Sequence, residues 1–170
     1  MISVEYCQLL ARYNRWMNER MFAAASEMTD EERKRDRGAF FRSLHRTLNH
    51  ILWGDRMWLG RFIEEPCTAA AYGADMFDDF GELARERDIT DTRILDWAGK
   101  LSPQWLASTL VYTRSADGTR RQLPAWIAAT HLFQHAAHHR GQAATLFMQA
   151  GHDIGVTDLQ YLPGVVRAVD

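Results

Sequence analysis

The segment "HLFQHAAHHRGQ", from His131 to Gln142, holds four of the seven histidines in the chain. If it is a helix, these histidines and Gln142 all lie within roughly 60° of His135 on one face. His135 and His139 are one turn apart, so both imidazoles can bind a single divalent ion. The HxxxH spacing therefore predicts a chelating pair, although it also arises by chance in histidine-rich helices.

Two histidines do not complete a catalytic metal site, because such sites use about three protein ligands and leave a position for water or substrate. His50, within "RTLNHILWGDRMWL", is our candidate for the third ligand. On a helix it lies about 120° from the apolar stripe, and the small residues Ser43, Thr47 and Gly54 flank it and leave room for a ligand. Asp55 is a rival ligand, but it lies about 140° from His50. We expect it to face the interior of the helix bundle, where it pairs with an arginine or caps a buried amide.

Other polar residues on the predicted helices are interpreted as structural. Asn14 and Asn18 fall within an apolar stripe, so they must find hydrogen-bond partners inside the protein or line a cleft. Arg140 points about 140° away from His135, and we expect it to support helix packing or an interface. The remaining histidines are interpreted as surface or core residues rather than ligands: His45, His131, His138 and His152.

The composition indicates one folded domain over residues 1–170. The chain has 46% hydrophobic residues, with six Trp and eight Phe, which is ample for a packed core. Its net charge of −2 argues against binding to nucleic acid. It lacks an apolar run of the roughly 20 residues of a membrane span, a signal peptide and a CxxC pair. We therefore expect a cytoplasmic protein without a membrane partner, with Cys7 in its core and Cys67 unpaired.

Apolar residues at three- and four-residue steps predict long helices in the first part of the chain. The first runs from about Val4 to Glu27. The second contains an apolar set from Leu44 to Phe62 and ends before Pro66. The segment between them, "TDEERKRDRG", is expected to be a charged turn.

A long crossover is expected over residues 66–79, because "PCTAAAYGADMFDD" has no sustained period. A weaker third helix follows, from about Gly81 to Leu101. The Asp117-Gly118 pair then predicts a β-hairpin with a tight turn, in which both residues need a positive φ.

The last helix is expected to have Pro124 in its first turn and to end near Gly151. Together these segments predict an all-α fold, an antiparallel four-helix bundle with a long crossover and a small β-hairpin before the last helix.

Three stretches of the sequence resemble the DinB family of metal-binding helical bundles: "LARYNRWMNERMF", "LNHILWGDRMWLGRF" and "HAAHHRGQ". The resemblance covers most of the chain. It implies a homodimer in which His50, His135 and His139 hold a divalent ion, nickel or zinc ahead of iron or manganese. It also implies that His138 neighbours the site and that His131 is not a direct ligand.

The resemblance also implies a class of chemistry. The wider superfamily includes S-transferases that use bacillithiol or mycothiol, a mycothiol-dependent maleylpyruvate isomerase, and sulfoxide synthases with an HxxxHxE motif. Gly141 stands in place of that glutamate here, which disfavours the sulfoxide synthases. We therefore expect a metal-dependent enzyme that transfers a low-molecular-weight thiol to a small electrophile. The alternatives are a metal-dependent hydrolase and a non-catalytic, metal-binding stress-response protein.

Overall fold

The structure is a computed structural model that describes residues 2–65, 74–114 and 117–166. It is mainly helical, with one small antiparallel sheet of two strands. The elements follow one another as α1 (Val4–Ser26), α2 (Asp30–Lys34), α3 (Leu44–Phe62), α4 (Phe80–Gly99), α5 (Pro103–Ala107), β1 (Thr109–Thr113), β2 (Arg120–Pro124), α6 (Ala125–Gln149) and a short 3₁₀ helix (Leu159–Tyr161).

Side-chain caps explain where three of the long helices begin. Ser3 accepts a hydrogen bond from the first turn of α1, Ser43 does the same for α3, and Asp79 for α4. These caps satisfy backbone N–H groups that have no partner within the helix. The predicted positions of these helices are confirmed to within two residues at their starts. The last helix differs slightly, because Pro124 ends β2 and α6 begins at Ala125.

Two details of the connecting segments differ from the sequence prediction. The predicted charged turn contains the short helix α2. This helix begins with a capping box, in which Thr29 and Glu32 each accept a hydrogen bond from the other's backbone N–H. The predicted hairpin is present, but the predicted conformation of its turn is wrong. Of Asp117 and Gly118, only the glycine has a positive φ, 68°. Residues 114–119 connect the strands, so the connection is longer than a two-residue turn.

Contacts between residues of different helices give the relative directions of the long helices. They are Gln8–Ala98 and Asn18–Asp91 between α1 and α4, His50–His139 and Trp58–His131 between α3 and α6, and Asp55–Arg87 and Phe62–Trp97 between α3 and α4. Helices α1 and α4 are therefore antiparallel, and so are α3 and α6. In contrast, α3 and α4 are parallel, which requires the chain to cross the length of the molecule between them.

The described end of this crossover is fixed to α3 by a buried amide. The Asn49 side chain accepts hydrogen bonds from the backbone N–H groups of Met76 and Phe77 and donates to the Phe77 carbonyl. The Nε2 atom of His45 lies 2.9 Å from the same carbonyl, consistent with a structural role for this histidine. Residues 66–73, which include Cys67, lie outside the described residues.

The interior consists of two apolar clusters separated by polar side chains. One cluster contains Met21 and Leu48, and the other contains Cys7 and Leu59. The side chains between them form what we call the polar layer: Asn14, Asn18, Asp55, Arg87, Asp91 and Arg140, all of which are buried. Cys7 is fully buried, as predicted.

In the part of the chain that the structure describes, no helix combines the length and apolar character that a transmembrane span requires.

Candidate metal centre

Helices α3 and α6 bring together the three histidines that the sequence singled out. The ligand atoms of His50, His135 and His139, which we call the histidine triad, all lie within 4.8 Å of one another. The two Nε2 atoms of His50 and His135 are 3.3 Å apart. Because α3 and α6 are antiparallel, His50 lies near His139 and one turn later Gly54 lies near His135.

Burial keeps these imidazoles neutral at physiological pH. It lowers the pKa of His135 to about 3, with further lowering by the charges of His139 and His50. Burial and the neighbouring His139 lower the pKa of His50 to about 4. The pKa of His139 is also lowered, mainly by burial. A neutral imidazole has a lone pair for a metal ion, so this environment prepares all three side chains as ligands.

Gly54 makes the space that the His135 ring occupies. A Cβ atom at this position would lie 2.7 Å from Nδ1 of His135, closer than real contacts allow. Within the described residues, that buried Nδ1 atom has no hydrogen-bond partner. Packing against Gly54 therefore sets the orientation of this ring. The small residue Gly54 was expected to leave room for a ligand beside His50; in the structure the ring of His135 fills this space.

A hydrogen bond to the side chain of Gln142 fixes the third imidazole. Nδ1 of His139 lies 2.8 Å from Oε1 of Gln142, and an amide oxygen only accepts, so Nδ1 carries the proton. Nε2 is then the atom with the lone pair, as in metal sites where the second nitrogen of a histidine is held by a neighbouring group. The sequence placed Gln142 on the histidine face but did not predict this contact.

Aromatic rings cover the triad on the side of α3. The Phe41 ring stacks on His50 at 4.0 Å between centroids and also meets the ring of His139. Trp53 stacks on His50 at 5.4 Å. Phe41 precedes α3 beside Arg42, whose φ of 67° turns the chain back over the helix. No spacing signal in the sequence reveals this contact, because Phe41 lies in a connecting segment.

The other histidines on α6 flank the triad and are more exposed than it. The ring of His131 lies 5.8 Å from that of His135, and the ring of His138 lies 4.8 Å from that of His139. Both are exposed, whereas His50 and His139 are buried. The triad therefore faces solvent on the side of α6 that carries His131 and His138. Among the described residues, the triad is the one group of three or more potential ligands.

The polar layer lies directly behind the triad. Asp55, which follows Gly54, accepts hydrogen bonds from Arg87 at 2.8 Å and from Asn14 at 3.4 Å. Arg140, which follows His139, donates to Asn14. The predictions that Asp55 pairs with an arginine and a buried amide, and that Arg140 supports helix packing, are confirmed.

The same layer ties the remaining long helix to the site. Arg87 on α4 also forms an ion pair with Asp91 at 2.8 Å, and Asp91 accepts from Asn18 of α1. The role of Arg87 was not predicted: Asp91 is one turn away on α4, but Asp55 lies on α3 and is distant in sequence.

A cavity of about 430 Å³ lies elsewhere, between the C-terminal ends of α3 and α4. It is lined by Phe62, Trp97 and Trp105 among others, and none of the described histidines lines it. The candidate metal centre therefore rests on the grouping of its three histidines and does not coincide with this cavity.

The family is decided by comparison with known proteins. A model of the DinB family matches residues 1–164. The chain belongs to the DinB family. Its structure is similar to the crystal structure of a DinB-like protein from Bacillus cereus ATCC 10987, with a TM-score of 0.61 and 18% sequence identity over 82% of this chain and 89% of the other. At this identity the likeness shows the fold alone. Comparison with curated proteins gives no match.

The donor set of this DinB protein fits a divalent ion. Two imidazole nitrogens bound to one ion at about 2.1 Å lie roughly 3 to 3.4 Å apart. The Nε2 atoms of His50 and His135 are at such a distance. Three neutral imidazoles suit nickel, zinc, copper or iron better than magnesium or calcium, which prefer oxygen ligands.

Proposed function

We propose that this DinB protein is a divalent-metal-dependent enzyme that transfers a low-molecular-weight thiol to a small electrophile. In this proposal it is a cytoplasmic single-domain antiparallel four-helix bundle, and the histidine triad holds nickel or zinc. The observation that carries the proposal is the triad itself. Within the described residues no carboxylate, thiol or fourth histidine joins it, so the ligand set leaves positions for a substrate.

An ion held by the triad would supply positive charge that lowers the pKa of a bound thiol or water toward neutrality. The protein's own residues prepare the site for this. Burial keeps His50 and His135 neutral, and Gln142 holds the Nδ1 proton of His139. Phe41 and Trp53 limit the access of water from one side.

The reacting thiol is assigned to a cosubstrate. Cys7 is fully buried in an apolar cluster, and burial raises the pKa of its thiol to about 11. A buried thiol with a raised pKa is a poor nucleophile. In the transfer, the sulfur of the cosubstrate forms a bond to the electrophilic carbon while the bond from that carbon to its leaving group breaks. The leaving group departs with the electron pair, and the thiol proton is released to solvent.

Rates with a panel of thiols and electrophiles test the proposal. Protein loaded with nickel or zinc is incubated with bacillithiol, mycothiol or glutathione, beside metal-free protein and a His139→Ala variant. At least one thiol should react faster with the loaded protein than with either control. A His152→Ala variant, altered away from the triad, should match the wild type.

Other outcomes of this experiment would distinguish the two alternative functions. If esters or amides are hydrolysed and no thiol is transferred, the transferase assignment is wrong and a metal-dependent hydrolase replaces it. If the protein binds metal but turns over neither class of substrate, the non-catalytic stress-response function is favoured.

We also propose that the protein is a homodimer. The family resemblance implies a dimer, and large apolar side chains on the surface offer material for an interface, among them Phe40, Met148 and Tyr161. Light scattering at micromolar concentration should give the mass of two chains. A mass of one chain would overturn this assignment.

A further inference from the structure

The cavity between the C-terminal ends of α3 and α4 has an aromatic lining. Phe62 and Trp97 stack at 4.8 Å between ring centroids, and Trp105 of α5 makes T-shaped contacts with both, at 5.5 and 5.7 Å. Ile63 and Leu101 add aliphatic surface. Protein interiors leave few spaces larger than a water molecule, whereas the volume of this cavity, about 430 Å³, is within the range of ligand pockets. Its size and lining therefore suit a small aromatic molecule.

Charged side chains line the same cavity, and two of them have no counter-charge. Arg93 forms an ion pair with Glu65, so these two charges offset each other. Asp96 and Lys100 are one helical turn apart at the end of α4, in the order that favours an ion pair along a helix. Nevertheless, neither forms an ion pair within the described residues, and both side chains line the cavity. The cavity therefore presents one unpaired carboxylate and one unpaired ammonium group.

This combination of charges and rings suits a ligand that carries opposite charges close together on an aromatic body. A free amino acid with an aromatic side chain has this composition, because its ammonium and carboxylate groups are attached to one carbon. The carboxylate accepts hydrogen bonds from Lys100, and the ammonium group donates to Asp96. A ligand with only one charge would meet a side chain of the same charge without compensation. The two unpaired side chains therefore select for a zwitterion.

We propose that this cavity binds a free amino acid with an aromatic side chain. Asp96 and Lys100 bind its charged groups, and the aromatic lining binds its ring. Phe62, which belongs to that lining, lies about 12 Å along α3 from Gly54, the residue that packs against His135. The site is therefore separate from the histidine triad, and we expect it to bind its ligand without a metal ion.

Calorimetry with three related ligands tests the charge requirement. L-tryptophan carries both charges, tryptamine lacks the carboxylate, and indolepropionate lacks the ammonium group. Metal-free protein is used, because amino acids also chelate metal ions. Wild-type protein should bind L-tryptophan about fivefold more tightly than either analogue, the effect expected for one exposed ion pair.

Substitutions should assign each preference to one side chain. Lys100→Gln should abolish the preference for L-tryptophan over tryptamine and keep the preference over indolepropionate. Asp96→Asn should do the reverse. Asp88→Asn removes a charge from an exposed position on the same helix, outside the cavity, and should leave all three affinities unchanged. Trp105→Ala should weaken the binding of all three ligands, because each loses contact with an aromatic ring.

Three results would overturn the proposal. The first is a wild-type protein that does not bind L-tryptophan, and the second is equal affinity for the three ligands. The third is loss of binding in a His135→Ala variant, which would place the ligand at the triad. Asp96 and Lys100 are exposed, so their substitution should leave the fold intact, as circular dichroism can verify. The measurements use neither metal nor thiol, so their outcome does not depend on the proposed function.

Discussion

The His135 imidazole is positioned by packing, and this makes Gly54 a sensitive residue. A Cβ atom there would overlap the His135 ring, and no hydrogen bond within the described residues holds its buried Nδ1. We expect Gly54→Ala to displace the ring and to weaken metal binding roughly 10- to 100-fold, as loss of a group that orients a ligand does. Competition with a chelating indicator measures this affinity.

Gly141→Ala is a matched control for this substitution. Gly141 also lies in a helix close to the triad, but a Cβ atom there meets nothing within 4 Å. Both substitutions should raise helix propensity by up to about 1 kcal/mol. Equal metal affinities of the two variants would show that the space at Gly54 is not needed by His135.

The three imidazoles should account for the metal content of the protein. We expect about one divalent ion per chain in the wild type and almost none after His50→Ala, His135→Ala or His139→Ala, because two imidazoles leave an incomplete ligand set. Elemental analysis of protein purified without an affinity tag measures the content. His152→Ala should retain the ion. A His50→Ala, His135→Ala double variant that still carried a full complement of metal would refute the site.

The side chains of the site could be predicted from the sequence only where spacing restricts them. The HxxxH spacing gives His135 and His139, since a helix places both on one face. His50 required the further assumption that its small neighbours mark a site. Trp53 meets His50 at an i,i+3 spacing on α3, a contact that helix geometry allows. Phe41 reaches the triad from a connecting segment, and nothing in its local sequence indicates which rings it meets. Packing between helices could not be derived from spacing on one helix.

The polar layer holds the four long helices together behind the triad, and Arg87 is its central cation. Arg87 is buried with both Asp55 and Asp91. We expect Arg87→Met to lower the free energy of unfolding by about 3–5 kcal/mol, because two buried carboxylates lose their counter-charge. Urea unfolding measures this change.

A second arginine on α4 gives the comparison. Arg93 pairs with Glu65 at the surface, with 46% and 64% of the two side chains exposed. Arg93→Met should therefore cost no more than about 1 kcal/mol. If Arg87→Met lowered the free energy of unfolding no more than Arg93→Met does, the polar layer would not be a determinant of helix packing.

The helices were predictable because apolar spacing and end signals agree. Ser3 and Ser43 occupy N-cap positions immediately before the first apolar residues, and Gly151, with a φ of 82°, follows α6. The hairpin was placed correctly, but its turn was not, because the number of residues between the strands depends on their pairing. The short helix α2 was missed because its charged sequence has no apolar face.

The imidazoles of the triad are buried in their neutral form, and this makes the stability of the whole protein depend on pH. The pKa of His135 falls from 6.5 to about 3 on folding, and that of His50 from 6.5 to about 4. Below pH 6.5 the unfolded chain therefore binds more protons than the folded chain. The stabilisation from these groups is present in full above that pH and is lost progressively as the pH falls toward 4.

Metal ions should amplify this dependence, because only neutral imidazoles bind them and only the folded chain groups the three together. We expect the unfolding temperature of metal-free protein to fall between pH 7.5 and pH 5, and the increase caused by added metal to shrink over the same interval. Calorimetry of both forms measures the two trends. Carboxylates also titrate at the acid end, so a His135→Gln variant, which cannot gain a proton there, isolates the histidine contribution. Its metal-free form should lose less stability than the wild type over this interval. An equal loss in the two proteins would mean that the triad is already protonated in the folded state, which would also remove the neutral ligands on which the metal site depends.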